Sequence, residues 1–142
     1  MSLLADYPIH TSIPVQWGEM DLANHINNVV YLRWVESGRM DYLRALDLTD
    51  FSGRKQRIGV ILGAVECKYL LPLSYPDTVV VGTRVTAVEA DRFIMESAIM
   101  SEKYQKLAAV CKSRIVAFDY RDRKKATWPE QVLEGIREIE GD

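Results

Sequence analysis

Between Trp17 and Arg39 the chain reads WGEMDLANHINNVVYLRWVESGR, and its first half gathers Glu19, Asp21, Asn24, His25, Asn27 and Asn28. A carboxylate such as Asp21 can attack a carbonyl carbon, or take the proton from a water that does so. The charge that then develops on the carbonyl oxygen needs donors. A helix start supplies them, because its first amides have no intrahelical acceptor. A polar loop that runs into a helix therefore joins both requirements, and acyl chemistry is what this spacing suits. Each residue also has a plainer use. Asp21 can cap a turn, Asn27 and Asn28 can cap a helix, and His25 can hold the helix entry through the backbone.

The helix that must position these groups starts near Asn27 or Asn28. Tyr31, Trp34, Val35, Gly38, Tyr42, Ala45 and Leu46 fall on one side at about 100° per residue. Running to about Leu46, it is roughly 30 Å long by the helical rise. Leu32, Met40 and Leu43 lie outside that stripe, so the helix is covered on more than one side. Gly38 costs about 1 kcal/mol against alanine, a cost that close packing on a neighbouring backbone offsets.

The remainder reads as sheet. Ile9–Trp17 is extended, and Pro14 within it predicts an edge position or a bulge. Leu48–Arg57 is a polar connection. Ile58–Leu71 is a long strand, with Gly59 and Gly63 expected on one face where a helix or ligand comes close. Pro72, Ser74, Pro76 and Asp77 mark a turn. Thr78–Glu89, Arg92–Ser101 and Gln105–Asp119 follow, the last two joined by a hairpin at Glu102–Tyr104. Strands linked this closely are expected to pair antiparallel in succession. Pro129 opens a last helix with an apolar stripe of Val132, Leu133, Ile136 and Ile139. One long helix against a bent antiparallel sheet of about five strands is an α+β layer pair.

At 142 residues, 48% apolar and 27% charged, the chain is expected to form one globular domain with its own core. A net charge of −2 argues against a nucleic-acid partner or an anionic membrane surface. The basic cluster RDRKK, from Arg121 to Lys125, reads as a solvated turn. Cys67 and Cys111 sit in apolar runs, as small buried hydrophobes of a reducing compartment would. Neither has a histidine or cysteine at metal-ligand spacing. MSLLADYPIHT carries no basic leader and no apolar run long enough to span a membrane, so a cytoplasmic location is expected. His10 has nothing near it in sequence to recommend it.

DLANHINNVVYLRW resembles the signature of hotdog-fold acyl-CoA thioesterases of the 4-hydroxybenzoyl-CoA thioesterase type, through Asp21, His25, the apolar Ile26, Asn27, Asn28 and Tyr31. The segment YLLPLSYPD is similar to that family's proline-containing turn before an acidic residue, and the likeness runs from about Ile13 to Phe118. Two positions depart from the pattern. Asn24 stands where the family commonly has glycine, and Glu19 where several relatives have aspartate. Asparagine can adopt the left-handed conformation that glycine supplies.

The resemblance implies a single hotdog thioesterase domain over residues 1–142, hydrolysing an acyl-CoA to a free acid and coenzyme A. It implies no metal and no cofactor, coenzyme A being part of the substrate. Asp21 would be nucleophile or general base. The Asn28 amide, with Asn27 beside it, would polarise the carbonyl, and His25 would bind substrate or position water. Tyr31 would pack between helix and sheet or touch the acyl group. Arg92, Lys112, Arg114 and the RDRKK turn are possible contacts for the coenzyme A phosphates. Ile61, Val65 and Phe93 could line an acyl tunnel and would serve equally as core. The family pairs its sheets edge to edge, with the site at the interface, so a homodimer is expected, and beyond it a homotetramer of two dimers. Two alternatives remain at this level. One is hydration or dehydration of an enoyl thioester, with Asp21 and His25 as an acid/base pair; the other is a non-catalytic acyl-CoA-binding module.

Overall fold

The computed structural model describes residues 3–49, 54 and 56–141, so part of the expected polar connection over Leu48–Arg57 lies outside the described residues. In chain order the elements are β1 (Ile9–Pro14), α1 (Asn28–Ala45), β2 (Ile58–Tyr69), β3 (Thr78–Val88), β4 (Arg92–Ser101), β5 (Lys106–Asp119), β6 (Lys124–Lys125) and α2 (Glu130–Glu140). The strands form one bent antiparallel sheet in the order β1-β3-β4-β5-β2, with the short β6 pairing the end of β5. The α+β layer pair is thus present, with six strands and two helices.

Succession in the chain misleads at one point. β2 does not pair with β3 but with β5, at the opposite side of the sheet. The reason lies in the segment between them. Leu73 is fully buried and Leu71 packs on the same cluster, together with Tyr31 and Trp34 of α1. Burying those side chains under the helix start carries the chain across to β1 instead of folding it back as a hairpin. β1 and β2 are therefore the two edges, and Pro14 closes the edge strand β1, as a residue without an amide proton should.

α1 starts where the sequence places it. Asn27 is the N-cap, its side-chain oxygen accepting from the Val29 amide at 3.0 Å. The helix has 18 residues, a length of about 27 Å. Its first half packs Tyr31, Trp34 and Val35 on Val79, Val81, Ile99 and Cys111 of the sheet. Its second half packs Tyr42 and Leu43 on Phe93, Met95, Ile115 and Trp128, and on Val132 and Ile136 of α2. Each large apolar side chain buried this way contributes about 1.5–3 kcal/mol. Phe93 is fully buried in this core, while Ala45 is exposed.

Gly38 has the close neighbour its place in a helix demanded, though side chains of β3 supply it. A Cβ there would lie 2.7 Å from Thr83 Oγ1 and 2.8 Å from Val81 Cγ1. Gly59 stands opposite Phe118 and Ile61 opposite Val116, and a Cβ at Gly63 would lie 2.9 Å from Val116 Cγ2, so both glycines fall on that face, as their spacing predicts. The register of β2 against β5 shifts between Leu62 and Ala64, which makes Gly63 a bulge.

The cysteines also depart from expectation. Cys67 and Cys111 stand opposite each other in the β2–β5 register and are joined as a disulfide. Forty-four residues of separation hid a pairing that only the strand order creates. The two cysteines therefore no longer point to a reducing compartment. Among the described residues no helix is long and apolar enough to cross a membrane. The RDRKK turn is exposed, as its charge predicted, with β6 inside it.

Candidate active site

The polar loop before α1 is a narrow backbone structure. Met20 and Ile26 form an isolated antiparallel bridge. Around it the Asp21 amide donates to the His25 carbonyl at 2.8 Å, and the Asn27 amide donates to the Glu19 carbonyl at 3.0 Å. Asn24 turns the tip with φ 60°, so the asparagine does take the left-handed conformation.

The segment after β2 carries this loop. The Ile26 amide donates to the Leu73 carbonyl at 2.7 Å, and Ser74 Oγ donates to the Asn24 carbonyl at 2.7 Å. Tyr69 reaches the Asn28 carbonyl at 3.1 Å, and Tyr31 reaches the Leu71 carbonyl at 3.0 Å. YLLPLSYPD is thus a platform under the loop as well as a turn. Sequence reading found the turn and missed the platform, because its contacts are mostly to backbone oxygens that any residue would present.

Asp21 is exposed. One carboxylate oxygen accepts from the Ala23 amide at 2.9 Å, which is the turn-capping role, and the other has no partner among the described residues. The His25 ring is exposed and makes no hydrogen bond among the described residues, so Asp21 and His25 are joined through backbone and not as a side-chain pair. Asn27 uses its side chain on the Val29 amide, and the Val30 amide donates to the Asn27 carbonyl at 2.9 Å. That leaves the Asn28 amide, the first of α1, without an acceptor among the described residues. Tyr31 lies behind the loop, buried against Trp34 and Tyr69 with ring centroids 5.2 Å away in each case. Burial pushes its phenol pKa up, and its packing role is the one observed. Asp21, His25, Asn27 and Asn28 thus come together on one exposed loop, and Tyr31 supports it from inside.

A groove of about 300 Å³ opens beside the helix start, between α1 and β2. Val29, Leu32, Arg33, Glu36, Arg39, Leu62 and Val65 line it. Val65 therefore lines this groove. Ile61 does not; it shares a separate groove of about 340 Å³ with Arg92, Arg114, Lys125, Val116 and Phe118. Lys112 lines a different depression, next to Arg114. Arg39 was not singled out from sequence, although a signal existed: it follows Val35 by four residues and precedes Tyr42 by three, which puts a cation on the apolar face. No group of three or more metal-ligating side chains occurs among the described residues.

Known structures share this fold. A thioesterase from Thermus thermophilus, solved with coenzyme A and Zn, superposes with a TM-score of 0.85 at 25% identity, covering 97% of this chain and 98% of that one. A 1,4-dihydroxy-2-naphthoyl-CoA thioesterase from Synechocystis gives 0.78 at 19% identity, over 90% and 94% of the two chains. A DHNA-CoA thioesterase from Staphylococcus aureus gives 0.80 at 22% identity, over 94% and 91%. No curated protein sequence matches significantly. The sequence model of the thioesterase-like superfamily matches residues 15–136, a stretch that contains the loop, α1, every long strand but β1 and most of α2. This chain belongs to the thioesterase-like superfamily.

Proposed function

We propose that the protein hydrolyses acyl-CoA thioesters to a carboxylic acid and coenzyme A. The observation that carries this reading is the loop itself: a carboxylate oxygen and a helix-start amide without partners among the described residues, on one stretch of eight residues from Asp21 to Asn28 at the mouth of a groove. With Asp21 as general base, its free oxygen takes a proton from water while the water oxygen bonds to the thioester carbon. The Asn28 amide stabilises the charge on the carbonyl oxygen. The C–S bond then breaks, and the thiolate leaves with the proton Asp21 returns. With Asp21 as nucleophile, its oxygen bonds to the thioester carbon, the C–S bond breaks with coenzyme A leaving as thiolate, and water then splits the resulting anhydride into the free acid and the Asp21 carboxylate.

His25 binds the thioester or the attacking water from the same loop. The coenzyme A phosphates fit the cations Arg92, Arg114 and Lys125, which the outer groove gathers; the bound coenzyme A of the Thermus thermophilus structure supports a ligand of this kind. The motif DLANHINNVVY supports assigning the chain to the 4-hydroxybenzoyl-CoA thioesterase branch of its superfamily.

The active form is a homodimer. β2 is a 12-residue edge strand with Ile61, Leu62, Val65 and Tyr69 exposed, Val29 is exposed beside it, and Leu22 is exposed on the loop. A long apolar edge is a template for pairing, and a second copy of β2 would cover it, enclosing the loop that a single chain leaves open. Two such dimers would form a tetramer.

A thiol-release assay over short, long and aromatic acyl-CoAs tests this reading. Free thiol with at least one class is the expected result. Loss of enoyl absorbance from crotonyl-CoA without thiol release would point to hydration instead, and tight coenzyme A ester binding with neither change would point to a binding module.

A further inference from the structure

The groove beside the loop ends on a cation with too few partners. Val29, at its near end, directly follows Asn28, so the groove starts where the acyl carbon would sit. Arg39, at its far end, lies ten residues further along α1, about 15 Å along the axis. Arg39 is 9% exposed. Among the described residues its guanidinium makes one hydrogen bond, from Nη2 to Ser113 Oγ at 3.1 Å. Its Nε is shielded from solvent and has no partner among the described residues. The ion pairs among the described residues all lie elsewhere. Burial pulls the guanidinium pKa down, and the attraction of Glu36, one turn back and exposed, opposes this without a bond between them.

A guanidinium carries five donors in a planar fork, and a buried cation ordinarily has an acid against it. Among the described residues the acid is missing, and a groove leads to its place. We propose that Arg39 determines specificity for acyl groups whose far end bears a carboxylate, so that the substrates are coenzyme A monoesters of dicarboxylic acids. Val29, Leu32, Leu62 and Val65 contact the methylenes between the two ends. Arg39 takes the terminal carboxylate through paired N–H donors, held from behind by Ser113. Glu36 has Arg33, one turn back on the same wall, as an alternative partner. The inference rests on the hydrolase reading, which places the reacting carbonyl at Asn28.

The test compares kcat/KM within pairs of equal chain length: adipoyl- with hexanoyl-CoA, suberoyl- with octanoyl-CoA, and sebacoyl- with decanoyl-CoA. The carboxylate-ended member of at least one pair should be preferred roughly 10- to 100-fold, with one best length. Arg39→Lys and Arg39→Gln should each reduce that ratio roughly 10-fold or more, whereas a packing role would scale both members of a pair together. The wild-type ratio needs no variant, so it decides even where a variant fails to fold. A second arm measures whether free suberate or sebacate raises the Tm of the wild type and not of Arg39→Lys. Stabilisation by the free diacids without hydrolysis of any ester would keep the subsite and remove the hydrolase reading. Methyl-ended esters hydrolysed as well as their carboxylate partners at every length would overturn the proposal, as would the absence of any diacid effect in a protein that hydrolyses neither.

Discussion

Asn28 is the residue at which cap geometry and catalysis can be separated. It is the first residue of α1, and the preceding Asn27 has φ −59° and ψ 135°, an extended conformation that proline tolerates before it. Proline suits a first helical position and removes the amide proton. Asn28→Pro should therefore fold with its helix intact by circular dichroism and lose about 2.7–4 kcal/mol of transition-state stabilisation in kcat. Asn28→Ala, which keeps the amide, should retain most activity, and equal losses in both variants would count against an amide donor. Part of this loop was legible in the sequence. The Asn27 cap follows from residue type and spacing, and the left-handed Asn24 from the resemblance, which has glycine at that position. Arg39 escaped because an arginine in a helix ordinarily faces water, and only the packed sheet shows that this one does not.

At the scale of elements, α1 is held by contacts of opposite kinds at its two ends. Gly38 lets it approach β3, so Gly38→Val should destabilise the fold by about 1–3 kcal/mol through overpacking against Thr83 and Val81, measured by chemical denaturation. Nearer its end, Tyr42 donates to Glu140 of α2 at 2.6 Å, and Glu140 accepts the Val85 amide at 3.0 Å. Burial, with the Glu140 carboxylate beside it, raises the Tyr42 pKa far above its ordinary value of 10.0. Burial also raises Tyr31 and Tyr7. The unfolded chain releases these protons from about pH 10 while the folded chain keeps them. Their stabilisation is thus complete below about pH 10 and declines as pH rises beyond it. Denaturation midpoints should fall between about pH 9 and 11 in the wild type, and fall less steeply in Tyr42→Phe, which should also cost about 2 kcal/mol at neutral pH. An equal slope in both would contradict the assignment. Helices and strand limits were readable because capping and periodicity are local. The β2–β5 pairing, the bulge at Gly63 and the Cys67–Cys111 bond were not, since each depends on which distant strand arrives alongside.

For the whole molecule the open question is what covers the β2 edge. A single chain leaves Asp21, His25 and Asn28 exposed beside apolar Leu22 and Val29, an arrangement poorly suited to shielding a reaction from water. Sedimentation velocity should find at least a dimer at micromolar concentration. Leu62→Lys, which puts a charge on that edge, should shift the population toward monomer. A monomeric wild type with full activity would contradict the shared site. Sequence pattern implied this assembly only by resemblance; the exposed apolar strand now gives it a physical reason.

The central claim is that the free oxygen of Asp21 acts on a thioester carbonyl. Thiol release by wild type and Asp21→Asn, on whichever acyl-CoA the wild type cleaves fastest, tests it most directly. The account predicts a loss of about 100-fold or more in kcat, with Tm little changed because Asp21 is exposed and the asparagine oxygen can still accept from Ala23. Near-normal turnover by Asp21→Asn would contradict it.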